Sequence, residues 1–203
     1  MLRLVFLSLL TGALASGAAD GSRAITEAEG VVAIYAETDG PPRMILAAWP
    51  DGHVVWSEDR LKGGAPYFVG QVPPARVSAV LSQVEREGAF ANRQLANPRF
   101  GPDASFTTVF FKKGSSQLKM ASWHELAEAD GRLVARSHGL TSLANERLLE
   151  ALRKEPAEYL FYRLVWAELR TLGASLIPSE GHRVNGEVLK RGGTITWREA
   201  SPK

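Results

Sequence analysis

"RMILAAWPDGHVVWS", residues 43–57, decides the fold. Residues 43–49 and 53–57 are apolar, β-rich runs, and Pro50-Asp51-Gly52 stands between them. Asp-Gly between such runs marks a hairpin, because glycine accepts the positive φ that tight turns need. Neighbouring segments extend this antiparallel pair. Residues 31–35, Val-Val-Ala-Ile-Tyr, form a β-rich run that stops at the turn cluster Thr38-Asp39-Gly40-Pro41-Pro42. Residues 67–70, beyond the loop 61–66, predict a further, edge strand.

The period then changes. Val77, Val80, Leu81 and Val84 recur at i, i+3, i+4 and i+7 after Pro73-Pro74, which predicts an amphipathic helix. Proline is favoured at a helix start because its missing N–H would be unpaired there. Gly88 sits where a helix C-cap is expected. Residues 106–111 and 117–123 read as a second hairpin across Lys112-Lys113-Gly114-Ser115-Ser116. The last third reads as two helical stretches, around 141–152 and 157–172, separated by Pro156. A final hairpin follows, 186–189 with 194–197, turning at Lys190-Arg191-Gly192-Gly193. Strands and helices in separate blocks predict an α+β fold. Its mostly antiparallel sheet carries the amphipathic helix on one face, with a C-terminal helical segment and a closing hairpin.

The N-terminus predicts export. Met1-Leu2-Arg3 is a basic start, residues 4–10 are apolar, and Ala13-Leu14-Ala15 and Gly17-Ala18-Ala19 are small-residue cleavage sites. The apolar run is shorter than the roughly 20 residues a bilayer span needs. Residues 166–177 come closest elsewhere but carry Glu168 and Arg170, so no span is expected after cleavage. The expected organisation is a signal peptide at 1–19, a flexible leader at 20–30, an α+β core at 31–128, and C-terminal helices and hairpin at 141–203 packed on that core.

The chain of 203 residues has no cysteine. Disulfides, thiolate catalysis and cysteine-ligated metal centres are thereby excluded. A disulfide-free exported protein suits a bacterial periplasm or exterior. The formal net charge is +2 and the basic residues are scattered, which is no footprint for nucleic acid.

Candidate chemistry centres on "SWHE", residues 122–125. A zincin needs His-Glu-x-x-His, but here the sequence runs His124-Glu125-Leu126-Ala127-Glu128. His53, His124, His138 and His182 share no ligand spacing, so no metal and no cofactor are expected. A hydrolase would draw on His124 with Ser122, Asp103 or Glu125. No Gly-x-Ser-x-Gly elbow is present. Strand alternation also places Ser122 and His124 on one face and Glu125 on the other. Ser122 and His124 therefore read first as strand-end residues bonding local backbone.

Binding candidates are Gly63 and Gly64, whose bare backbone permits close approach of a ligand, with Tyr67 beside them. Trp49 and Trp56 flank the central hairpin as a possible sugar or peptide groove. The leading expectation is a non-enzymatic exported domain binding an envelope or extracellular protein or a saccharide. The alternatives are a hydrolase centred on His124 and a protease inhibitor presenting the loop 63–66.

Three stretches, "DGHVVWSEDRLKGGAPYFVGQVPPARVSAVLSQVEREGAF" (51–90), "GPDASFTTVFFKKGSSQLKMASWHE" (101–125) and "YRLVWAELRTLGASLIPSEG" (162–181), carry a resemblance. Together they resemble a class of small secreted bacterial proteins of unknown function. The shared plan is an Asp-Gly hairpin, a Gly-containing strand, a helix ending near Gly-Phe, and an Asp-bearing loop before an aromatic strand. The resemblance implies an exported α+β domain and transfers no catalytic residue.

Overall fold

The structure, a computed structural model, describes residues 22–25, 31–37, 40–96, 106–123, 157–191 and 194–200. Its strands are β1 (Ser22–Ala24), β2 (Val32–Glu37), β3 (Arg43–Ala48), β4 (His53–Ser57), β5 (Tyr67–Gln71), β6 (Phe106–Lys113), β7 (Ser116–Trp123), β8 (His182–Val184), β9 (Gly186–Arg191) and β10 (Thr194–Glu199). The helices are α1 (Pro74–Arg86) and α2 (Ala157–Ala174), with short 3-10 turns at Ala89–Ala91 and Arg93–Ala96. The fold is α+β with antiparallel sheets. A seven-stranded sheet runs β7-β6-β2-β3-β4-β5-β8, and a three-stranded sheet runs β1-β10-β9.

The central hairpin forms as its Asp-Gly turn requires. Gly52 has φ +84°, its N–H donates to the Trp49 carbonyl, and Trp49 N–H donates to His53. Leu46 pairs with Trp56 and Ala48 with Val54 across it. On the other side β3 meets β2 with a bulge between Ile34 and Tyr35. Ile45 is the additional residue opposite that step, so Ile45 and Leu46 both join the core on the same sheet face. α1 has proline in its first turn and ends at Glu87, with Gly88 at φ +71° beyond it.

The large sheet is covered on both faces. One face, with Val32, Ile34, Leu46, Trp56, Val109, Phe111 and Met120, packs under Val77, Val80, Leu81 and Val84 of α1 and Tyr162, Trp166 and Leu169 of α2. The other, with Ala33, Tyr35, Met44, Trp49, Val55, Tyr67 and Phe110, packs under Ile195 and Trp197 of the small sheet. Strands buried on both sides lose the polar half of their alternation, which is why residues 43–49 are a nearly unbroken apolar run. Each fully buried large side chain here stabilises the fold by about 1.5–3 kcal/mol.

Two expectations change. Residues 67–70 do not form an edge: β8 pairs outside β5, Tyr67 opposite Val184 and Val69 opposite His182. Tyr67 and Val69 are apolar and buried, and only the three-residue β8 is left at the margin. The leader is not wholly flexible either. β1 pairs with β10, Ile25 is fully buried, and Trp49 Nε1 donates to the Ala24 carbonyl at 3.2 Å. Arg23 lies over the Trp49 ring and pairs with Asp51 at 3.0 Å, which fastens β1 to the central turn. The expected helix around 141–152 and the signal peptide at 1–19 lie outside the described residues.

Candidate functional site

Of the hydrolase candidates, Ser122 alone lies among the described residues. Ser122 pairs through its backbone with Thr107 in the β6–β7 hairpin. His124, Glu125 and Asp103 lie outside the described residues. Trp49 and Trp56 do not form a groove. They belong to opposite faces of the large sheet and are 1% and 5% exposed. Trp56 stacks on Phe68, ring centroids 5.9 Å apart. Tyr67 is buried between the sheets, and burial pushes its hydroxyl up to about 12.

Gly63 and Gly64 do not offer their amides to a ligand. Gly63 N–H donates to the Asp59 carbonyl at 2.9 Å and Gly64 N–H to the Met44 carbonyl at 2.9 Å. The Ser57 hydroxyl donates to the Gly64 carbonyl at 2.5 Å. The Asp59 carboxylate accepts from the N–H groups of Lys62 (2.8 Å) and Leu61 (3.0 Å). Those two bonds, Lys62's the stronger, hold its carboxyl below the usual value although partial burial opposes them. The loop is therefore a rigid corner built on β3, and what it presents outward is Arg60 and Leu61.

That corner borders a cavity of about 350 Å³ on the helical face of the large sheet. Its floor is Ile34, Ile45 and Leu46, all nearly fully buried. The end of α2 and the turn after it supply Arg170, Thr171, Ala174 and Ile177. Arg60 and Leu61 form the opposite lip, with Leu61 43% exposed. The bulge makes this floor, because it turns Ile45 to the side that Leu46 already faces. Small-molecule sites are commonly such concave, mostly apolar spaces, about 300–1,000 Å³, with a few placed polar groups.

Here the placed groups are guanidiniums. Arg170 Nη2 donates to the Arg60 carbonyl at 3.0 Å, joining the walls. The Arg60 guanidinium carbon lies over the Trp56 ring, 5.8 Å from its centroid, and that of Arg170 over Trp166 at 5.9 Å. Burial alone lowers Arg60's pKa, so this cation is partly desolvated. No carboxylate stands within ion-pair distance of Arg60 among the described residues.

A second polar cluster is structural. Glu37 on β2 meets Lys119 of β7 at 3.6 Å and Lys190 of β9 at 3.7 Å, and accepts from the Thr108 hydroxyl at 3.1 Å. It ties the two sheets together at their margin. Among the described residues, no group of three or more His, Asp or Glu is placed to hold a metal ion, and no helix is long and apolar enough to cross a membrane.

The described residues form an α+β fold with a ligand-sized recess bordered by Arg60 and Arg170. No protein-family model matches the chain, and no curated protein or solved structure matches it. Sequence reasoning missed Arg60, Leu61, Arg170 and Ile45 as site residues. Arg60 and Arg170 are separated by 110 positions, and the only local signal is the lone Leu61 in an otherwise polar turn.

Proposed function

We propose that this chain is an exported, non-enzymatic binding domain whose ligand site is the cavity between the 59–64 corner and the end of α2. One observation carries this reading: a recess of about 350 Å³ with a floor of buried Ile34, Ile45 and Leu46 and a polar rim. Apolar walls fix and desolvate a ligand, whereas catalysis needs a reactive group beside it. The side chains around the recess are aliphatic, threonine and arginine. Export is supported by the basic start, apolar run and small-residue sites of residues 1–19. The protein partner or saccharide expected from the sequence becomes, on this reading, a small molecule with an apolar part.

A broad hydrolase screen of the mature chain, wild type beside His124→Ala, tests the reading against its rival. No turnover that depends on His124 is expected, and an activity lost in His124→Ala overturns the binding-domain reading. Inhibition of a protease panel, abolished by substitutions within 63–66, would overturn it as well.

A further inference from the structure

We propose that the cavity takes an amphiphile with a single anionic head, its apolar chain on Leu61, Ala174 and Ile177 above the buried Ile34, Ile45 and Leu46, and its head on the guanidinium of Arg60. This rests on the binding-domain reading and names the ligand class of the same site. The chemistry comes from the division of the lining. The lining is aliphatic, with Leu61, Ala174 and Ile177 above the buried Ile34, Ile45 and Leu46, and the exposed Arg60 stands on the lip that reaches solvent. A polar ligand such as a sugar would lose its hydration to Leu61, Ala174 and Ile177 without regaining hydrogen bonds. A purely apolar ligand would make no use of the Arg60 guanidinium at the lip. A ligand with a cationic head would meet like charge. A carboxylate or phosphate at the end of an alkyl chain satisfies floor and rim together, since a guanidinium presents a planar fork that matches either head.

The rim is preorganised for this. Trp56 is a core residue, so the Arg60 guanidinium over its ring is placed by the body of the fold. The Arg170–Arg60 backbone bond fixes the spacing of the two walls. Little rotamer freedom is then left to lose on binding, which favours affinity.

The test is calorimetric titration of the mature protein with octanoate, octyl phosphate, 1-octanol and acetate. Octanoate or octyl phosphate should bind at least about tenfold more tightly than 1-octanol, the scale of a charge-assisted hydrogen bond, and acetate should give no heat. Whichever anion binds more tightly identifies a carboxylate or a phosphate as the natural head. Arg60→Gln should bring the anion down to the affinity of 1-octanol and leave 1-octanol unchanged. Arg60→Lys, which keeps the charge and loses the fork, should retain part of the difference. Ala174→Trp, at an exposed position on the rim, should abolish binding of all three alkyl ligands. Equal affinity for octanoate and 1-octanol, or a difference that survives Arg60→Gln, overturns the anionic head and leaves the cavity reading standing. Alkyl binding unaffected by Ala174→Trp overturns the cavity as the site. No binding of either anion by the wild type overturns the proposal outright.

Discussion

At Gly63, φ is +67° and a Cβ would lie 2.7 Å from the carbonyl oxygens of Arg43 and Met44. At Gly64, φ is +97°, and the nearest atom to a Cβ is a methylene of Arg43 at 3.8 Å. Both positions disfavour an L side chain, but only the first also meets backbone. Gly64→Ala should cost about 1–2 kcal/mol, the left-handed penalty alone, and Gly63→Ala clearly more. Urea unfolding midpoints of the two variants check this, and equal midpoints would contradict the rigid corner. The Gly-Gly pair was visible in the sequence as a loop where backbone is bare. What the sequence did not reveal is that both amides are consumed by Asp59 and Met44, a matter of three-dimensional pairing. Trp49 and Trp56 teach the same lesson. Their nearness along the hairpin suggested a shared groove. They stand on opposite sheet faces, and in a strand buried on both sides no polar alternation remains to reveal which face is which.

At the scale of elements, β7 is the last strand of the large sheet among the described residues. The Tyr162 hydroxyl of α2 accepts from Ala121 N–H at 3.0 Å and donates to the Ala121 carbonyl at 2.9 Å. One side chain thus satisfies both outward backbone groups of an edge residue, the kind of position that otherwise invites strand addition. Tyr162→Phe should cost about 1–3 kcal/mol, because it leaves buried backbone polar groups without partners. Its amide exchange should quicken at Ala121 before it does in β2 or β3. Uniform exchange across the sheet would contradict a local cap. The elements themselves were largely legible. The Asp-Gly hairpin, the α1 stripe and the 106–123 hairpin follow from period and turn chemistry. β1 and β8 were not, since three residues are too few to display a period. Each is a strand only because a longer one, β10 or β5, offers it an edge.

The described residues are layered, small sheet on large sheet on α1 and α2, and their titration reflects that burial. His53 packs against the Trp49 ring, centroids 5.4 Å apart, and its buried Nε2 finds no hydrogen-bond partner among the described residues. Desolvation first, and the charge of Arg23 second, hold its pKa below the ordinary 6.5, with Asp51 opposing. The unfolded chain therefore binds this proton more readily than the native one. His53 contributes stability that is complete above pH 6.5 and is lost as pH falls from there through its depressed native value. Unfolding midpoints should fall with pH across that window, and fall less in His53→Gln. Tyr67 and Tyr162, pushed up to about 12 by burial, act in the opposite sense. Their contribution is complete below their ordinary value of 10 and is lost as pH rises toward 12. The α+β class was readable from the order of strands and helices. The cavity was not, because its walls come from a bulge on β3, a corner after β4 and the end of α2, brought together only by the complete fold.

The most direct test of the account is an amide chemical-shift titration of the mature protein with octanoate. The largest changes are expected at Ile45, Leu61, Thr171 and Ala174 around the cavity, saturating together. Changes centred instead on residues 122–125, or on the small-sheet face around Trp49 and Trp197, would contradict it.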